Sequence, residues 1–317
     1  MPEPSGDTNP RRRVGEAAAE SAAARTVSET KAESAETAAG PATGRTVTET
    51  AAEALARLYD LDLAEDPGDL DLWLALAARQ GGPVLELMSG SGRLAVPLAE
   101  GGHEVTAVDW DPAMLARARR RAEAAGPATA RRLRFVEADV RGLRLPDAGS
   151  YRLAFVPLNA ILLLATRVAQ AACWETLAAH LAPGGLAAVD AWLPDAGDLA
   201  RYDGRLHLEH VRPDPETGRW VAKVAAAHHD AATQTVTLTT FYDEGDPGEP
   251  PSRWIRRDIV RLVGPDELRA MAIDAGLRVE LVAGGYDLEP LGPHDERVIV
   301  LARKPGRRSG RGAGRAR

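Results

Sequence analysis

VLELMSGSGRLAVPLAE, residues 84–100, reads as a buried strand that carries an acidic residue, runs into a glycine-rich turn and continues as a helix. Gly90 and Gly92 permit positive φ and let a ligand come close to the backbone, while the helix that follows offers its N-terminal amides. The same spacing satisfies a dinucleotide fingerprint: Gly90, Gly92 and Ala95 fit G-x-G-x-x-G/A, and Asp109 follows at nearly the required distance. Glu86 separates the readings. Four residues before Gly90, a carboxylate suits an ammonium group better than a pyrophosphate.

Working outward from this turn, short β-branched runs alternate with helical patterns, which predicts a parallel sheet covered by helices. Strands are expected at 84–88, 104–109, 133–138, 153–157 and 186–192, with four crossover helices between them. Upstream, 49–59 and 69–79 read as helices, the first ending at Tyr59 and Asp60. Between 205 and 263 the period changes to two, and turn residues such as Asp214-Pro215 and Pro250-Pro251 separate about four antiparallel strands. A helix from Gly264-Pro265-Asp266 to Gly276 and strands at 278–283 and 297–302 then close the main sheet. The expected fold is α/β and Rossmann-like, a mostly parallel seven-stranded sheet with an antiparallel β insert.

Three further stretches follow the glycine-rich turn in order: HEVTAVDWDPAMLARAR at 103–119, RFVEADVRGL at 134–143 and LAPGGLAAVDAW at 181–192. Together the four resemble the class I S-adenosylmethionine-dependent methyltransferases of the small-molecule type, over roughly residues 55–302. The resemblance implies a cofactor, S-adenosyl-L-methionine, and a place for each residue. Glu86, Gly90 and Gly92 would hold its methionine end, Asp109 both ribose hydroxyls, Trp110 the adenine face, and Asp139 with the Val140 amide the adenine edge. Pro157, Leu158 and Asn159 would border the transferable methyl, and Tyr59 lies where small-molecule members carry a tyrosine that closes over the cofactor. Met88 departs from the pattern, since the family has glycine or another small residue there. An NAD-dependent oxidoreductase and a catalytically silent cofactor-binding subunit are the alternatives.

The insert would cover the carboxyl ends of the parallel strands and decide which acceptor is methylated, an amine or a hydroxyl of a metabolite. Tyr202, His207, His210 and Tyr242 are its candidate proton acceptors; methyl transfer from a sulfonium needs one only where the acceptor is protonated or weakly acidic. His103 and His180 read as structural, and His228-His229 as no metal pair, because neighbours on a strand face opposite ways. Cys173 is the only cysteine, which excludes an internal disulfide and a cysteine-rich metal site. Leu206, Leu208, Val221, Val236, Leu238, Ile255 and Ile259 read as one apolar face, to be covered by the catalytic domain, by a second copy as a homodimer, or by both.

At 317 residues and 44% hydrophobic content the chain can bury a sizeable core, and no apolar stretch is long enough to cross a bilayer, so a cytoplasmic protein is expected. The net charge of −7 divides into −1 for residues 1–48, +7 for 303–317 and −13 for the body between, a balance that argues against nucleic acid as partner. Both ends lack large apolar side chains and read as disordered segments, despite the recurrence of RTVSET as RTVTET at 45–50. A chain without residues 1–45 and 305–317 is therefore expected to keep its melting temperature, measured by circular dichroism, and its cofactor affinity.

Overall fold

A computed structural model describes residues 49–306; the two segments read as disordered lie almost wholly outside these residues. The described chain opens with α1 (Ala51–Asp62) and α2 (Leu70–Gln80). The alternating region follows as β1 (Val84–Leu87), α3 (Ala95–Glu100), β2 (Val105–Asp109), α4 (Pro112–Ala124), α5 (Pro127–Ala130), β3 (Leu133–Glu137), β4 (Tyr151–Val156), a 3-10 turn (Ala160–Leu163), α6 (Arg167–His180) and β5 (Leu181–Trp192). After α7 (Ala196–Arg201) come β6 (Asp203–Pro213), β7 (Trp220–Asp230), β8 (Thr235–Gly245) and β9 (Ser252–Arg261), then α8 (Pro265–Asp274), β10 (Arg278–Ala283) and β11 (Arg297–Arg303).

The main sheet has the order β10-β11-β5-β4-β1-β2-β3, in which only β11 runs against its neighbours. Its central strands are apolar on both faces because both are covered. Leu85, Leu87, Ala154 and Val156 pack with α6 and α8 through Trp174, Leu177 and Leu268. Val84, Leu153 and Phe155 pack with α2 and α3 through Trp73, Leu76 and Leu98, and the Trp73 indole stacks on Phe155 with ring centroids 4.4 Å apart. Among the described residues no helix is long and apolar enough to cross a membrane.

Three expectations need correction. Only three of the four crossovers between the parallel strands are helical: residues 138–150, from β3 to β4, hold no helix, since Gly142, Pro146, Asp147 and Gly149 break every turn that could form. β5 starts at Leu181, five residues early, because Pro183-Gly184-Gly185 forms an irregularity inside the strand, where a Cβ on Gly185 would lie 2.8 Å from the Tyr151 carbonyl oxygen. The apolar residues of the insert do not share one face. Val221, Val236 and Leu238 point inward and are buried, whereas Leu206, Leu208, Ile255 and Ile259 are exposed, as the pairing of the four strands requires.

The insert sheet, β6-β7-β8-β9, lies on α1. That helix begins with a capping box between Thr50 and Glu53 and runs through Tyr59 and Asp60 to Asp62, longer than its sequence suggests. Leu58 and Leu61 bury against Val221 and Tyr242. Arg57 pairs with Glu49, Asp214 and Glu244. Asp62, buried, takes the Lys223 ammonium at 2.9 Å, His210 Nε2 at 3.1 Å and the Tyr242 hydroxyl at 2.7 Å. Burial alone would raise its pKa, but Lys223 and these hydrogen bonds outweigh burial and lower it from 3.8 to about 2.

The folded pKa is thus below the unfolded one, so ionised Asp62 stabilises the fold above about pH 4 by about 2 kcal/mol, a contribution lost as the pH falls toward 2. Asp62→Asn removes it at every pH. In acid titrations followed by thermal unfolding, the wild type should lose about 2 kcal/mol more than D62N between about pH 4 and pH 2.

Candidate active site

Parallel sheets bind ligands beyond the carboxyl ends of their strands, where the strand order reverses. Here that point lies between β1 and β4, and the glycine-rich turn stands over it. The chain leaves β1 through Met88, whose φ of 60° is left-handed. A side chain there costs on the order of 1 kcal/mol, which is the physical reason for glycine at such a position. Met88 adopts it while packing partly against the larger core.

The turn is held by hydrogen bonds at both ends. Ser89 N donates to the Val108 carbonyl at 3.0 Å, Gly92 N to the Ser89 carbonyl at 3.1 Å and Gly90 N to Asp109 Oδ2 at 2.7 Å. The other Asp109 oxygen accepts from Asp111 N at 3.0 Å, and Asp111 in turn caps α4, accepting from Ala113 N at 2.8 Å. Asp109 is fully buried. Ser89 Oγ is buried as well and has no hydrogen-bond partner among the described residues. Gly92 has the positive φ read from the sequence, 77°, and a Cβ there would also stand 3.0 Å from the Ala118 methyl, so the glycine brings α4 against the turn as well.

Helix α1 covers the turn from above. Asp60 accepts from the Ser91 hydroxyl and pairs with Arg117 at 2.7 Å and Arg121 at 3.3 Å. One residue earlier, Tyr59 packs on Ala56, Ala113 and Met114. Arg93, inside the turn, forms a two-point pair with Asp69 at 2.6 and 2.7 Å. Burial works against its charge, yet Asp69 keeps the guanidinium protonated far beyond its usual range, with smaller help from Tyr59 and Glu86. Glu86 is buried in β1 within electrostatic reach of this arginine.

The other sequence-predicted residues fall around the same strand ends. Trp110 directly follows Asp109 and is 39% exposed. Asp139 lies two residues past β3, exposed, and its pKa is lowered mainly by hydrogen bonds from Arg141. Val140 is buried, with its carbonyl accepting from the Thr176 hydroxyl at 2.7 Å. Pro157, Leu158 and Asn159 leave β4 as a buried turn in which Leu158 and Asn159 both have positive φ, 45° and 63°.

What fastens that turn went unread in the sequence. Asp190 of β5 accepts from Leu158 N at 2.9 Å and from the Tyr286 hydroxyl at 3.3 Å, and pairs with Arg297. Arg297 also donates to Asn159 Oδ1 at 3.2 Å and lies 4.7 Å above the Tyr286 ring. The available signal was Asp190 itself, a charge inside the apolar run LAAVDAW.

The proposed proton acceptors do not converge. His207 is exposed, and Tyr202 packs on Trp192 with centroids 6.1 Å apart. His210 and Tyr242 both serve Asp62, and burial, then the Asp62 charge, pushes the Tyr242 phenol far above its usual range. His180 is structural as read: Nε2 accepts from Leu145 N at 3.0 Å and Nδ1 lies 2.7 Å from the Thr176 carbonyl.

Residues 84–185 match the family described as "Methyltransferase domain". The chain has the class I methyltransferase fold. An 80-residue stretch is 44% identical to a demethylmenaquinone methyltransferase of Thermus thermophilus, covering 25% of this chain and 33% of that enzyme. The methyltransferase fold extends further than this. The CcbJ methyltransferase from Streptomyces caelestis superposes with a TM-score of 0.64 at 23% identity, over 76% of this chain and 97% of that one. The sugar N-methyltransferase KedS8 from Streptoalloteichus sp. gives a TM-score of 0.62 at 19% identity, over 87% and 99%.

The left-handed backbone at Met88 makes a test of the glycine-rich turn. Met88→Gly should stay within about 1 kcal/mol of the wild type, because relief of strain offsets lost packing and the greater freedom of the unfolded chain. Met88→Ile places a β-branched side chain at positive φ and should cost about 2 kcal/mol or more. Urea unfolding of the two variants compares them.

Proposed function

We propose that the chain transfers a methyl group from S-adenosyl-L-methionine to an amine or hydroxyl of a small metabolite. The observation that carries this reading is Asp109, fully buried at the end of β2 and hydrogen-bonded to the Gly90 amide of the glycine-rich turn. Its two oxygens hold the Gly90 and Asp111 amides, and a carboxylate is the acceptor that suits the paired hydroxyls of a ribose. Glu86 would face the ammonium of the methionine end, Ser89 Oγ supplies a buried group in want of a partner, and Trp110 offers an exposed ring for the adenine. The residues present therefore fit the cofactor.

When bound, the cofactor supplies a methyl on a sulfonium centre whose leaving group departs neutral. The protein's part is then alignment. Asp190 and Arg297 hold the turn at Pro157, Leu158 and Asn159 rigid beside the transfer line, and α1 with Tyr59 closes the opposite side. An amine acceptor finds support in the likeness to a sugar N-methyltransferase over nearly the whole of that chain. With Tyr242 and His210 engaged by Asp62, the insert contributes shape more than basicity, which suits an acceptor that arrives as a free amine.

Calorimetry should find S-adenosylmethionine or its demethylated product bound in the micromolar range, roughly 7 to 9 kcal/mol, and no comparable affinity for NAD. Asp109→Ala should weaken that binding by about 2 to 3 kcal/mol, since hydrogen bonds to a charged acceptor are the stronger kind. Preference for NAD, or an unchanged affinity in D109A, would overturn the reading. Cofactor binding with no turnover on any amine or alcohol would favour a silent binding subunit.

A further inference from the structure

On the inner face of the insert the strand registers set side chains in rows across the sheet. Lys223, Tyr242 and Trp254 make one row, Ala225, Thr240 and Arg256 the next, and Ala227, Leu238 and Asp258 a third. The first row lies on α1, through Tyr242 and Trp254 against Leu58 and Leu61. The third belongs to the core of the main domain through Ala227 and Leu238. Between helix and core, the middle row presents two small side chains and the long arm of Arg256. Strand β9, which carries it, packs against both α1 and the 3-10 turn that follows Asn159.

The Arg256 side chain is nine-tenths buried, with 10% of its surface exposed. Its Nε donates to Asp258 Oδ2 at 3.0 Å, and its Nη2 is buried with no hydrogen-bond partner among the described residues. Other buried cations of this interface are differently supplied: Lys223 has Asp62 and Glu209, and Arg57 has Glu49, Asp214 and Glu244. A buried guanidinium N–H without an acceptor costs free energy that a bound oxygen recovers, most fully when that oxygen is charged. In a body of net charge −13, a local cation is also what an anionic ligand requires.

We infer that Arg256 recognises an anionic oxygen, of a carboxylate or a phosphate, on the methyl acceptor. This rests on the methyl-transfer reading and names the class of acceptor: a small amine or alcohol that carries a negative group. Arg256 is thus a specificity-determining residue, and Asp258 orients its fork.

Three probes share one amine and one spacer and differ in the head group: 3-aminopropyl phosphate, β-alanine and 3-aminopropan-1-ol. Each is titrated calorimetrically into the full-length protein, with and without S-adenosylhomocysteine. The wild type should bind the phosphate or the carboxylate about tenfold or more tightly than the alcohol, and the stronger of the two identifies the anion. In Arg256→Gln/Asp258→Asn, which removes the pair without stranding a buried charge, the difference should shrink to about twofold, with melting temperature and S-adenosylhomocysteine affinity kept. Arg256→Lys, which keeps the charge but not the fork, should fall between and serves if the double variant does not fold.

Equal binding of the three probes by the wild type, no binding of either anion, or a preference that survives in the variants overturns the proposal. If S-adenosylhomocysteine does not bind while the anion preference holds, the methyl-transfer reading fails and Arg256 stands as an anion site of another function. If S-adenosylhomocysteine binds and the preference is absent, only the inference about Arg256 is lost.

Discussion

Helix α1 carries two carboxylates two residues apart, and the rest of the architecture depends on where that spacing sends them. Two residues of an α-helix turn through about 200°, so Asp60 and Asp62 face nearly opposite ways. Asp60 meets the glycine-rich turn through Ser91 and helix α4 through Arg117 and Arg121, while Asp62 meets the insert through Lys223, His210 and Tyr242. One rigid rod is thereby charge-paired to α4 on one side and to the antiparallel sheet on the other. Taking two charges out of water repays its cost only when hydrogen bonds fill the remaining positions, and both carboxylates meet that condition.

The same device recurs at the strand ends themselves. A turn that leaves a buried strand has backbone N–H groups no ladder can satisfy. Asp109 takes that of Gly90 and Asp190 that of Leu158. Each carboxylate sits on the strand next to the one whose turn it fixes, β2 beside β1 and β5 beside β4. Sheet register therefore passes directly into the shape of the site, and the tension stored at Met88, Leu158 and Asn159 is held in place by these two anchors.

Much of this was legible in the sequence, for identifiable reasons. Strands buried on both faces read as apolar runs, so β1 to β5 are found within a few residues, and the period-two stretches gave all four insert strands. The glycine spacing and the acidic residue closing β2 marked the turn that stands over the strand ends. The failures share a cause, which is that their determinants are distant in the chain. Asp60 and Asp62 look like a polar stop, and the helix continues through them because Arg117 and Lys223, 57 and 161 positions away, neutralise them. His210 and Tyr242 look available for chemistry until Asp62 is placed beside them. Neither Arg256 nor Arg297 stands out among the chain's many arginines, because only burial and missing or shared partners give them meaning. The mixed face of the insert was misread because apolar residues were grouped without their register.

Cys173 sits on α6 in the middle of the larger core, fully buried, and burial pushes its thiol up to about 12. Since it is the chain's one cysteine, the surface offers no sulfur nucleophile at neutral pH. To a thiol-directed reagent the folded protein is blank. A spectroscopic label introduced through a single surface cysteine would report from that site alone, and a pair of them, one on α1 and one on an outer strand of the insert, would turn the spacing of these two elements into a measurable ruler while the native thiol stays silent inside.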